Sequence, residues 1–261
     1  MKIITVGALK GGVGKTNFTF NLSGVLAKHN KKVLLIDLDP QGNLTNNFGL
    51  LNNLIQSKAK KLFNNDINFL DDNIIEKWKY ENYEIDIIPN NIEMTTLETE
   101  IINRNSRETI LKRTFIKNIN ILNTYDYILI DTNPSINIIN KNAYAIADEI
   151  IIISDNSVNS LLGINILDNI WKLFCNETEI QNNINTIVLN NFDNFKVSKD
   201  FLEYLNSSSF QTKILENKIR GSQVFKKSEI NKIPLAFYSQ TIHQKEYYEN
   251  IYNELYNKNI L

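Results

Sequence analysis

Lys10-Gly11-Gly12-Val13-Gly14-Lys15-Thr16 stands between a short apolar run, Lys2-Ile3-Ile4-Thr5-Val6-Gly7, and a segment from Asn17 to Lys28 with apolar residues at 18, 22, 25 and 26. Strand, glycine-rich turn and helix in that order make a phosphate-binding loop. Glycines accept positive φ and let the backbone approach phosphate oxygens closely. Successive N–H groups then form an anion cradle at the N-terminus of the following helix. Gly11, Gly12, Val13 and Gly14 supply the cradle, Lys15 reaches the β- and γ-phosphates of a nucleotide, and the Thr16 hydroxyl helps hold Mg²⁺. A glycine-rich turn that binds nothing is the bland alternative, and strand, glycines, lysine and hydroxyl together weigh against it.

Acidic residues fall where such a site needs them. A second strand runs into Asp37-Leu38-Asp39-Pro40-Gln41-Gly42-Asn43, and a fourth reads Tyr127-Ile128-Leu129-Ile130-Asp131. Ligands of an open parallel sheet gather at the carboxyl ends of its strands. Asp131, closing a buried apolar strand, is placed to hold Mg²⁺.

The rest of the chain sets bounds. At 261 residues, 43% hydrophobic and 22% charged, it suits one α/β domain spanning 1–261. Apolar runs at 3–8, 33–38, 85–88, 127–131, 149–153, 186–189 and 212–215 alternate with helical patterns at 16–28, 95–118, 136–147, 161–176, 198–207, 222–230 and 241–256. That alternation predicts a single doubly wound, mostly parallel sheet flanked by helices. The polar stretch 52–65 reads as a surface excursion. The net charge of −1 leaves nucleic-acid contact to a local patch. Cys175, the one cysteine, forms no disulfide within the chain and reads as a buried thiol. Lys10 and the glycines interrupt the N-terminal apolar run, so no secretory signal is expected, and no run approaches the ~18 apolar residues of a membrane span. A cytoplasmic protein is expected.

The K-G-G-V-G-K-T loop, with its leading lysine, resembles the deviant Walker A loop of the ParA/MinD ATPase superfamily. Residues 37–43 resemble that family's Walker A′ tract, 86–94 its D-L-I-P-S-N-I-x-L tract, 147–153 its A-D-E-V-I-I strand, and 218–238 its I-R-x-S region, so the likeness covers nearly the whole chain. It implies a P-loop NTPase fold binding ATP and Mg²⁺. By that match Lys10 reaches into the partner subunit's nucleotide, Asp39 orients the attacking water, Asp37 supports the Mg²⁺ shell, and Lys10, Lys15 and Asp39 are the catalytic set. Asn17 falls where a hydroxyl usually meets the α-phosphate, and Asn133 departs from the usual D-T-P-P-S after Asp131. Asn190 and Asn191 are candidates for adenine contact. The lone cysteine excludes the iron–sulfur branch, which needs two cluster ligands per subunit. With a strand starting at residue 2, the small type without a preceding helix-turn-helix is expected.

The resemblance further implies an ATP-dependent homodimer, sequence-nonspecific binding to double-stranded DNA, a ParB-like stimulating partner and nucleoid association, together a DNA-partition ATPase. The C-terminal third is locally basic, and Lys196, Lys199, Lys218, Arg220, Lys226 and Lys227 are the expected DNA contacts, with Arg220 matching a family DNA-binding arginine. A MinD-like membrane ATPase needs a basic amphipathic tail. Here the last helical pattern carries Glu246, Glu249 and Glu254 against Lys245 and Lys258. A bacterial tyrosine kinase needs tyrosines on a flexible tail, whereas Tyr248, Tyr252 and Tyr256 fall at helical spacing beside Ile251 and Leu255 and predict a docked helix. A small-molecule synthetase of the same fold is a third alternative.

Overall fold

The computed structural model describes residues 1–261 apart from Asn65, Asn194 and residues 239–241, and apart from the side chains of Val197 and Ile242. In chain order its elements are β1 (Lys2–Gly7), α1 (Lys15–Lys28), β2 (Val33–Asp37), α2 (Asn43–Asn47), α3 (Lys58–Lys61), β3 (Glu76–Tyr80), β4 (Tyr83–Ile88), α4 (Leu97–Ile101), α5 (Ile110–Lys117), α6 (Ile119–Leu122) and β5 (Tyr127–Asp131). There follow α7 (Ile138–Ile146), β6 (Glu149–Ser154), α8 (Val158–Thr178), β7 (Ile184–Leu189), α9 (Lys196–Asn206), α10 (Gln223–Ile230) and α11 (Ile242–Asn257). The strands form one sheet ordered β3-β4-β2-β5-β1-β6-β7, parallel except for the β3–β4 pair.

Strand side chains alternate between faces, and the sheet buries both. Val33 and Leu35 join Phe18, Leu22, Ile251 and Leu255 on the face covered by α1 and α11. Leu34 and Ile36 face the other way, onto Leu111, Phe115, Ile139 and Ala143 of α5 and α7. Beyond β1, Ile150, Ile152 and Ile187 pack on Trp171 and Phe174 of α8. Because α1 lies between the sheet and α11, it is buried around most of its circumference, Thr19, Asn21 and Ser23 included.

The expected doubly wound sheet is present, with local corrections. Residues 212–215 form no strand: Gln211–Lys213 is a 3₁₀ turn, and only Ile214 bridges to Ile187. An antiparallel edge strand, β3, is additional, so Tyr127–Asp131 is the fifth strand. The helical pattern at 95–118 is broken: α4 ends at Ile101, Ser106 adopts φ 51°, and α5 starts only at Ile110. Within 52–65, Ala59, Leu62 and Phe63 are buried, so this segment contributes to the core.

Cys175 is buried. Tyr248 and Tyr252 are buried on α11, while Tyr256 is exposed, which shortens the expected stripe. Thr241, the expected first residue of that helix, lies outside the described residues. Among the described residues no helix is long and apolar enough to cross a membrane.

Candidate active site

The carboxyl ends of β1, β5 and β2 lie side by side. Val6 pairs with Asp131, and Asp131 with Asp37. The loop leaving β1 therefore sits directly above two acids more than ninety residues apart in sequence. Gly14 caps α1 in the left-handed region at φ 95°, and a Cβ there would lie 2.1 Å from Asn190 Nδ2. Only glycine meets both conditions. Asn190, buried at the end of β7, donates from Nδ2 to the Val13 carbonyl at 2.7 Å, so it props the loop from beneath. The loop opens onto a cleft of about 440 Å³ whose walls include Gly12, Lys15, Thr16, Asp39, Pro134 and Glu229. A larger cleft, about 570 Å³, lies at the opposite end of the sheet beside Val33 and Tyr125. It has no glycine cradle, and its Asp86 is taken by Tyr125 at 2.6 Å and Lys77 at 3.8 Å.

Asp131 is fully buried. Its Oδ2 accepts the Thr16 hydroxyl at 2.7 Å, and its Oδ1 is buried with no hydrogen-bond partner. Burial, reinforced by neighbouring Asp37, pushes its carboxyl up to about 8. Burial likewise pushes Asp37 up to about 7, against hydrogen bonds from Thr45 N at 2.9 Å, Thr45 Oγ1 at 2.7 Å and Asp39 N at 3.1 Å. Those three donors occupy both Asp37 oxygens, leaving Asp131 Oδ1 as the open acceptor. Lys15 is 6% exposed. Burial lowers its pKa while Asp131 and Asp39 oppose the fall.

An orphaned carboxylate oxygen beside a threonine hydroxyl is a donor set for a hard cation that keeps water and substrate oxygens in its remaining positions. Among the described residues there is no group of three or more His, Cys, Asp or Glu that could hold a metal ion by itself. Asp39 lines the cleft and is held from behind. Its Oδ1 accepts Gln41 N at 2.9 Å, and its carbonyl accepts Asn90 Nδ2 at 3.0 Å. Asn90, in the 86–94 tract, also donates its backbone N–H to Thr45 Oγ1 at 2.8 Å, so the loop bearing both acids is one hydrogen-bonded unit.

Three expected site residues are held by contacts within the subunit. Lys10 turns to Asp155, with Ser157 Oγ at 2.9 Å, and does not enter its own cleft. Burial opposes ionisation of Asp155, but that ammonium and the serine hydroxyls hold it at about 2. Asn17 donates to Glu229 Oε1 at 2.7 Å and accepts from the Tyr248 hydroxyl at 2.9 Å. Asn190 commits its amide to the loop, which leaves only Oδ1, buried and unpartnered, for any ligand; Asn191 is exposed beside it.

Glu229 in the cleft wall was not legible as a site residue, because in sequence it is one acid among the lysines of the C-terminal third. Of the expected DNA contacts, Lys196 and Lys199 are exposed on α9, and Arg220, Lys226 and Lys227 are exposed on α10 and just before it. Lys218 is half-buried, its Nζ 3.2 Å from the Glu216 carbonyl and 5.4 Å from the centre of the Phe192 ring. Lys213 is withdrawn from that surface, pairing with buried Asp168 at 3.7 Å.

The profile of the AAA_31 family, an AAA domain, matches residues 1–186. The sporulation initiation inhibitor protein Soj of Bacillus subtilis is 35% identical over 185 residues, covering 71% of this chain and 68% of Soj. Matches to several other relatives span 50–64% of those proteins. Among solved structures, a plasmid partition protein of Borrelia burgdorferi superimposes with a TM-score of 0.73 at 24% identity, covering 98% of each chain. An aspartate-to-alanine variant of Cyanothece McdA in complex with ATP superimposes with a TM-score of 0.85 at 20% identity, covering 98% of this chain and 96% of McdA.

Proposed function

The chain belongs to the AAA-domain family and, within it, to the ParA/MinD-type ATPases, and we propose that it is a DNA-partition ATPase. In this reading residues 1–261 are one ATPase domain that binds ATP with Mg²⁺, dimerises on it, and hydrolyses it when stimulated by a ParB-like partner. The observation that carries the proposal is the convergence of the glycine cradle, Lys15, Thr16, Asp39 and the orphaned Asp131 oxygen on one cleft.

Bound Mg²⁺ would neutralise charge on the β- and γ-phosphates. Thr16 and Asp131 would hold it, with Asp37 supporting Asp131 from the adjacent strand. Lys15 places a partly desolvated ammonium against the phosphates, where low dielectric strengthens its pull. Asp39, anchored by Gln41 and Asn90, orients the attacking water. Lys10 acts in trans: a second subunit draws it from Asp155 toward the partner's nucleotide, so the catalytic set is complete only in the dimer.

The exposed cations Arg220, Lys226, Lys227, Lys196 and Lys199, with Lys218, give the dimer a DNA-binding surface whose phosphate contacts are doubled by association. Nucleoid association in the cytoplasm follows from that surface. The buried Tyr248 and Tyr252 favour this reading over a tail-phosphorylating kinase. ATP turnover measured with and without double-stranded DNA and Mg²⁺ tests the proposal. Mg²⁺-dependent turnover is expected, and its absence at saturating ATP with DNA present would count against it.

A further inference from the structure

We propose that Asn140 is a positioning residue for phosphoryl transfer, clamping the loop of residues 133–135 against the nucleotide cleft. The proposal rests on the ATPase reading for its consequence, though not for the clamp itself. Where related loops carry proline after the aspartate and threonine, this chain has Asn133. A proline fixes φ and stiffens the loop; asparagine does not. Residues 133–135 border the phosphate site, since Pro134 lines the cleft and a Cβ on Gly11 would lie 3.9 Å from Pro134 Cγ.

Asn140 supplies the missing stiffness. It is fully buried at the third position of α7. Its Nδ2 lies 2.7 Å from the Ser135 carbonyl, 2.8 Å from Asn133 Oδ1 and 3.0 Å from the Asn133 carbonyl. Rotating the carboxamide would turn its oxygen against those acceptors, which fixes the assignment. Its backbone N–H donates to Asn137 Oδ1 at 2.9 Å, so helix cap and clamp are one unit. Ser135 closes the knot from the loop side, donating from N to the Asn133 carbonyl at 2.9 Å and from Oγ to Asn133 Oδ1 at 2.6 Å.

The geometry also leaves Asn140 Oδ1 buried without a partner. A buried orphan acceptor costs stability. Two donors turn Asn133 Oδ1 inward, so both halves of its peptide and side chain are fixed relative to α7.

The test combines ATP turnover with hydrogen exchange at the Ser135 amide. Asn140→Ala is expected to lower kcat about tenfold, as small misplacements of positioned groups do. ATP affinity should stay within about twofold, and Ser135 exchange should accelerate about tenfold as the loop loosens. Adding Asn133→Pro to Asn140→Ala should recover most of the missing kcat, a rescue that a merely structural residue would not give. If Asn140→Ala fails to fold, Asn140→Ser retains one donor and should show the same pattern to a lesser degree. Unchanged kcat or unchanged Ser135 exchange overturns the proposal, as does a parallel loss of kcat, affinity and Tm that proline does not restore. Should the wild-type chain hydrolyse no ATP, the partition reading fails, and the clamp then stands or falls on Ser135 exchange alone.

Discussion

Replacing Asp131 with asparagine should stabilise the nucleotide-free protein while abolishing its response to Mg²⁺. The carboxyl is buried beside Asp37 and raised to about 8, and Asp37 to about 7, from an ordinary value of 3.8. Between pH 4 and pH 8 the folded state thus retains protons that the unfolded chain has released. Stability falls with rising pH wherever the native state binds more protons, by up to about 1.4 kcal/mol per pH unit for one group. Asparagine keeps the shape and an acceptor for Thr16 but carries no charge. In EDTA the variant should match wild type near pH 4 and outlast it increasingly up to pH 8, by a few kcal/mol in total, then level off. For a chain of this size each kcal/mol moves Tm by about 2–4 °C. Thermal melts at unit pH steps read this directly. With ATP present throughout at pH 8, adding Mg²⁺ should raise the wild-type Tm and leave the variant's unmoved. Parallel melts across the pH range, or a variant less stable at pH 8, would mean that Asp131 is not held protonated in the folded chain.

Gly14→Ala should lose nucleotide binding and destabilise the fold by more than the ~1–2 kcal/mol of left-handed strain alone, because its Cβ meets Asn190 at 2.1 Å; adding Asn190→Ala should recover part of the stability in urea unfolding. Lys10→Ala should still bind ATP in a fluorescent-nucleotide assay yet neither dimerise nor turn over, since its ammonium rests on Asp155 and not in its own cleft. Loss of binding by that variant would contradict a role in trans. Arg220→Ala should weaken binding to two unrelated duplexes alike and lower the salt slope by about 0.9 for each phosphate left without its cation. Normal affinity in the Arg220→Ala, Lys227→Ala double variant, with ATP turnover intact, would remove this surface from consideration.

The phosphate loop was legible in sequence because its chemistry is local. Glycines, lysine and threonine are contiguous, and parallel strands bring acids at their ends to the same edge. What escaped was set by distant partners. β3 reads Glu-Lys-Trp-Lys-Tyr with one buried residue, Trp78, a pattern that signals an edge strand only once β4 is beside it. The 95–118 segment keeps helical spacing throughout. Its break shows only in three dimensions, where Asn142 of α7 accepts the Leu111 N–H at 3.0 Å and donates to the Arg107 carbonyl at 2.7 Å, fixing where α5 begins. Glu229, Asp155 and Asn140 belong to the same class: each is an ordinary polar residue until folding sets Asn17, Lys10 or Asn133 against it.

Whether ATP joins two copies of this chain is decided by sedimentation velocity of the Asp39→Ala variant with saturating ATP and Mg²⁺. That variant lacks only the group proposed to orient water, so the ATP state should persist. A species of twice the 30.2 kDa chain mass is expected with ATP and the single chain without it. A variant that binds ATP but sediments as one chain at saturation would contradict the nucleotide-sandwich dimer, and with it the role given to Lys10.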